Sequence, residues 1–235
     1  MPTETPPHGD TIERYLFLLD ITGYTRFLAA VEQSHGEDFS AGLPAGYRIL
    51  GELLQLVIDG LPSDVELVKV EGDAVFATGA AQRLDSRGAD VLDHLGGTYR
   101  NFTAQRDAMA ATATDDKCSA CFSVTGLDLK AVIHRGFAVR QPVGGAPDLV
   151  GPAVNVAHRL LKNTVRTRIG ARPYVLLTQP AASGLGLAEA GIGHQETYPD
   201  VGSIDTRILD LGEVAGVSPS PAVAAASWPE ITIAQ

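Results

Sequence analysis

Five consecutive apolar side chains, Tyr15, Leu16, Phe17, Leu18 and Leu19, constrain this chain more than any other stretch. The run is too short and too aromatic for a helix, so residues 14–20 read as a buried strand. It gives out at Asp20, and a carboxylate at the end of a buried strand is costly unless a cation or a donor pairs with it. The pattern recurs where Val65, Leu67 and Val70, with Val68 out of phase, lead into Glu71, Gly72 and Asp73. Two carboxylates so placed, each near glycine (Gly23 and Gly72), point to a shared divalent cation next to phosphate.

The bulk of the chain suits a folded body around these turns. Its 235 residues, 45% hydrophobic and 20% charged, fit one large domain, or one domain with appendages. Residues 1–12 are expected to be disordered, residues 13–212 to form the main folded domain, and residues 213–235, with their Ala, Pro and Ser, to be an irregular tail. With 28 acidic against 18 basic residues the net charge is -10, which argues against nucleic acid or an anionic membrane as partner. A nucleotide is still permitted, because a metal and one or two local cations neutralise a triphosphate. No run approaches the ~18 apolar residues needed to span a bilayer, and the N-terminus lacks the pattern of a signal peptide, so the expected location is cytoplasmic. Cys118 and Cys121 make one C-x-x-C, half of a zinc site. Two reduced thiols are the plain reading, and a zinc site shared across a dimer is the alternative.

Patterning places a helix from an N-cap at Thr22 to about Gln33, with Tyr24, Phe27, Leu28 and Val31 on one stripe. A second helix covers residues 47–58, striped by Ile49, Leu50, Leu53, Leu54 and Val57. Residues 65–71 and 74–78 form a hairpin across Gly72 and Asp73. A long, more polar helical region fills residues 84–113. Residues 122–127, 129–134 and 137–140 read as strands, residues 141–147 as a loop, residues 152–162 as a helix, and residues 174–177 and 206–211 as strands. The interleaving of strands and helices, with one clear hairpin, makes the class α+β with an antiparallel-rich sheet.

Each chemical element has a plain explanation when taken alone. Asp20 or Thr22 can simply cap a helix, Asp73 can be an ordinary turn residue, Lys69 can snorkel from a half-buried strand, and Arg159 can be salt-bridged on a solvated face. The functional reading is that Thr22, Gly23, Tyr24 and Thr25 open a helix whose free amides bind phosphate. Asn155 and Arg159, four apart, present an amide and a forked guanidinium on one helical face.

Together, the stretches around Asp20 to Thr25, Lys69 to Asp73 and Asp148 to Arg159 resemble the class III nucleotidyl cyclases, the adenylate and guanylate cyclase catalytic domain. The resemblance covers residues 14–163 well and residues 170–212 loosely. It implies a ferredoxin-like fold, a mostly antiparallel sheet flanked by helices, and conversion of ATP to cyclic AMP. It implies that Asp20, Asp73 and the Ile21 carbonyl hold two Mg or Mn ions. By the same resemblance Lys69 and Asp148 read adenine, Asn155 orients the ribose and Arg159 stabilises charge on the phosphates. It further implies a head-to-tail homodimer, with the metal carboxylates from one chain and the other four residues from its partner. Retention of Lys69 and Asp148 disfavours guanylate cyclase. The chain departs from the family pattern in three respects: it has no lysine after Lys162, leaving Arg207 as substitute for a triphosphate contact; it places Glu71 beside the Gly-Asp turn, as an extra ligand or a hindrance; and its residues 84–113 and C-x-x-C mark a separate branch. The alternative function is a cyclase-like module that binds nucleotide or a protein partner with little turnover.

Overall fold

The computed structural model describes residues 11–35, 40, 42, 45–112, 123–144 and 146–217. Cys118 and Cys121 lie outside the described residues, as do residues 1–10 and 218–235.

The run that opened the sequence reading becomes β1 (Thr11–Thr22), an interior strand of the sheet. It pairs antiparallel with β3 (Ala74–Ala80) on one side and β4 (Asp128–Val143) on the other. β2 (Val65–Glu71) closes the sheet beyond β3. Past β4 lie β6 (Tyr174–Thr178), β8 (Gly202–Asp210) and β7 (Ile192–Tyr198), while β5 (Ala146–Val150) pairs with the outer half of β4. Only the β4–β6 pairing is parallel among the described strands, so the sheet is mixed and mostly antiparallel, as expected.

β1 is apolar at each position from Tyr15 to Leu19 because both of its faces are covered there. Tyr15, Phe17, Leu19 and Ile21 join one core with α1 (Tyr24–His35), α2 (Ala45–Asp59) and α4 (Gly88–Thr112). Leu16 and Leu18 join a second core with Phe76, Val132 and α5 (Pro152–Leu160). The strand's period of two thus separates two hydrophobic layers. Asp20 has the parity of Leu16 and Leu18, which puts it on the α5 side.

Several elements differ from the sequence reading. β1 starts at Thr11, inside the stretch expected to be disordered. It also runs through Thr22, so Thr22 is not the helix cap; Gly23 is the junction, and its carbonyl accepts from the Phe27 N–H at 3.0 Å. Residues 123–126 form a 3-10 turn instead of a strand. The strands expected at residues 129–134 and 137–140 are one, and it continues into the stretch read as a loop, because β1 and β5 between them pair its whole length. The short α3 (Ala81–Leu84), α6 (Val165–Ile169) and α7 (Gln179–Leu185) and the edge strand β7 were not anticipated. The domain also extends past residue 212: α8 (Leu211–Ala215) buries Leu211 and Ala215 in the first core. Among the described residues no helix is long and apolar enough to cross a membrane.

Candidate functional site

A cleft of about 660 Å³ opens where β1 ends. Asp20, Ile21, Thr22, Gly23, Tyr24, Thr25 and Asp73, seven of the residues singled out in the sequence, all line it. The two acidic turns are tied directly, the Ile21 N–H donating to the Asp73 carbonyl at 3.0 Å. Gly23 and Gly72 both take positive φ, +88° and +64°, which fits glycine at each turn. At Gly23 a side chain is also sterically barred, since a Cβ there would stand 2.5 Å from the Gly126 carbonyl oxygen. Gly23→Ala is therefore expected to lower stability by about 1–3 kcal/mol, read as a drop in melting temperature.

The carboxylates do not stand alone. Lys130, on β4, lies directly across from Asp20 in the strand register, and its ammonium sits 3.0 Å from Asp20 Oδ2. It also donates to the Leu161 carbonyl at 3.0 Å, one of the orphan acceptors just past α5. Sequence reading missed this residue. The available signal was a lysine inside the otherwise apolar run Leu129, Ala131, Val132 and Ile133. Asp73 has its carboxyl pushed above the usual range, first by burial and then by the Asp20 charge. Tyr24 is raised by burial and by Asp73. Asp128, in the cleft wall, is also raised by burial. Arg26, Lys130 and Arg166 supply positive charge to the same cleft.

The other four residues lie outside this cleft. Lys69 is 3.1 Å from Asp148 and 3.1 Å from Glu71. Asp148 holds the lysine ammonium above its ordinary range, and Lys69 holds the Asp148 carboxyl below it. The second oxygen of Glu71 lies 3.5 Å from His158 Nδ1, and the His158 ring packs edge-on against Phe76 at 5.2 Å. Asn155 and Arg159 project from the exposed side of α5, opposite the buried Ala153, Ala157 and Leu160. Arg159 pairs with Asp200 at 2.5 Å, both half-exposed. None of Lys69, Asp148, Asn155 and Arg159 lines the Asp20–Asp73 cleft. Nor does Arg207, whose guanidinium donates to the carbonyls of Ala190 and Gly191 at 2.9 and 3.2 Å.

Among the described residues no three His, Cys, Asp or Glu side chains converge as a metal cluster. Two carboxylates and the Ile21 carbonyl remain, a hard oxygen set of the kind that suits Mg or Mn.

A family profile described as "Protein of unknown function (DUF2652)" matches residues 50–168, just over half of the chain. The chain belongs to that family. The matched region of the DUF2652 family takes in Lys69, Asp73, Asp148, Asn155 and Arg159 and leaves Asp20 outside. An "Uncharacterized protein" of Mycobacterium tuberculosis (strain ATCC 25618 / H37Rv) is 28% identical over 166 residues, covering 69% of this chain and 73% of the relative. In three dimensions the chain is similar to the adenylyl cyclase CyaB from P. aeruginosa, with TM-score 0.58 and 14% identity over 86% of this chain and 96% of that one. It is also similar to a bacterial light-regulated adenylyl cyclase, with TM-score 0.54 and 15% identity over 90% of this chain. This chain spans 57% of that cyclase's length. The fold is accordingly that of the class III cyclase domains.

Proposed function

We propose that the chain is a metal-dependent nucleotidyl cyclase that converts ATP to 3′,5′-cyclic AMP and pyrophosphate in a head-to-tail homodimer. The observation that carries this reading is the meeting of Asp20 and Asp73 in one cleft, apart from Lys69, Asp148, Asn155 and Arg159. Two separated half-sites on one chain are what a composite site between two chains requires.

Asp20, Asp73 and the Ile21 carbonyl would hold Mg or Mn. When bound, such ions supply Lewis-acid charge that acidifies the ribose 3′-hydroxyl and offsets the triphosphate. Lys130 exchanges its Asp20 contact for a phosphate oxygen, and Arg26 and Arg166 add charge to the same cleft. The backbone amides of residues 22–25 face phosphate at the start of α1. Across the interface, Lys69 donates to the adenine ring nitrogen N1 and Asp148 accepts from its amino group. Asn155 orients the ribose. Arg159, once released from a half-exposed pair that is worth little, stabilises charge as the 3′-oxygen attacks the α-phosphorus and pyrophosphate leaves.

Incubation with ATP and Mn is expected to yield cyclic AMP, and Arg159→Ala to yield none. Mixing inactive Asp73→Ala and inactive Arg159→Ala proteins should restore about a quarter of wild-type activity, because half of randomly paired dimers carry one intact site of two. No recovery on mixing would sink the composite arrangement.

The second reading, a module that binds nucleotide or a protein partner with little turnover, is favoured by two ion pairs, Lys130 on Asp20 and Arg159 on Asp200. If both persist with ligand bound, ATP raises the melting temperature and no product forms.

A further inference from the structure

The cluster around Lys69 holds one more acceptor than the proposed reaction uses. β2 carries a bulge between Leu67 and Lys69, so that Val68 is unpaired and Lys69 lies opposite Phe76. Bulges re-aim the side chains that follow them. Here the result is that Lys69 and Glu71, two residues apart, share the face of Phe76 and α5, where Asp148 and His158 meet them. An ammonium has three donors. Asp148 and Glu71 take one each, which leaves one for a further acceptor beside the two carboxylates. Asp148 is itself fixed, accepting from the Leu149 N–H at 2.8 Å through its other oxygen. Glu71 is steadied by His158. The order across the cluster is therefore acceptor, donor, acceptor.

We propose that Glu71 is a third base-reading residue, an acceptor that faces position 2 of a purine whose N1 meets Lys69 and whose 6-amino group meets Asp148. This rests on the nucleotide reading of the site given above. Adenine satisfies two of the three groups and presents a C–H to Glu71. A purine with amino groups at both positions 2 and 6 offers donor, acceptor, donor and satisfies all three. Guanine placed in the same way sets its O6 against Asp148 and its N1–H against Lys69, so both contacts are mismatched. The substrate class is 6-aminopurine nucleotides, with a 2-amino group favourable.

The test is titration calorimetry on the full chain with Mn and the non-cleavable α,β-methylene triphosphates of adenosine, 2-aminoadenosine and guanosine. Wild-type protein is expected to bind the 2-amino compound about tenfold more tightly than the adenosine compound, the scale of one added hydrogen bond to a charged, partly exposed acceptor. The guanosine compound should bind most weakly. Glu71→Leu should abolish the preference for the 2-amino group, and Glu71→Gln, which keeps an oxygen acceptor, should retain part of it. Glu71 is about one-third exposed, so neither substitution removes core packing. A residue that merely steadied Lys69 would alter all affinities together and leave the 2-amino preference untouched. Equal affinity for the two adenine-type compounds in wild type, or a preference that survives Glu71→Leu, overturns the inference alone. Failure of all three compounds to bind overturns the nucleotide reading together with it.

Discussion

Asp73→Asn is expected to cut cyclic AMP formation at least about a thousandfold, the effect of losing several kcal/mol of charge stabilisation at about 1.4 kcal/mol per decade. The protein should stay folded, with a melting temperature in metal-free buffer equal to or above that of wild type. Burial and the neighbouring Asp20 charge already push the Asp73 carboxyl upward, so the charge is a burden to the fold that a neutral amide removes. Asp20→Asn should lose the same activity but melt lower, because it leaves the mostly buried Lys130 ammonium without its carboxylate. The two variants together separate the role of a residue in the reaction from its role in the fold. Cyclic AMP formation by Asp73→Asn above about a tenth of wild type would remove Asp73 from the metal set.

The second large effect concerns stability in acid. Burial lowers the pKa of the His134 imidazole from 6.5 to about 4, and the ring shares a 3.0 Å hydrogen bond with the buried Thr178. Between these values the unfolded chain takes up a proton that the folded chain refuses. The stability is fully present above about pH 6.5 and drains away as pH falls toward 4, by about 3 kcal/mol in all and about 2 kcal/mol by pH 5. Asp73, Asp128 and Asp210 work in the opposite direction: their carboxyls are raised in the fold, so the folded chain binds those protons more tightly and gains relative stability in acid. Denaturant unfolding at about pH 7.5 and about pH 5 isolates the histidine when wild type is compared with His134→Gln. The variant should lose about 2 kcal/mol less across that interval. Equal losses in both proteins would show that His134 is free to protonate in the fold.

How much of this was legible beforehand depends on the distance over which each feature is decided. The stripes of α1 and α2 and the hairpin of β2 and β3 follow from periodicity within a dozen residues, and they stand as read. The off-phase Val68 was visible too, and it marks the bulge that turns Lys69 toward Phe76. By contrast β7, which no local pattern announces, is a polar edge strand (Gly193, His194, Gln195, Glu196, Thr197) that exists because β8 pairs with it. Residues 141–143 of the expected loop became strand for the same reason, with β5 pairing back on them. Thr22 looked like a cap because polar residues precede α1, but the pairing of β1 with β4 extends two residues past Asp20 and hands the junction to Gly23.

The candidate site divides in the same way. Apolar runs ending in carboxylates, glycines beside them, and Asn155 four residues before Arg159 are local patterns, and the sequence by itself determined that acids stand at strand ends and an amide and a guanidinium on one helix face. Only the tertiary structure decided what faces those groups. Lys130 is 110 residues from Asp20, and nothing local says that the two strands align so that their charges meet. Glu71 is two residues from Asp73, yet the pleat and the bulge send it to Lys69 and His158 instead. The physical reason is that side-chain periodicity is a property of one segment. Register and the sharing of a face are set by long-range pairing and by which surface must be buried.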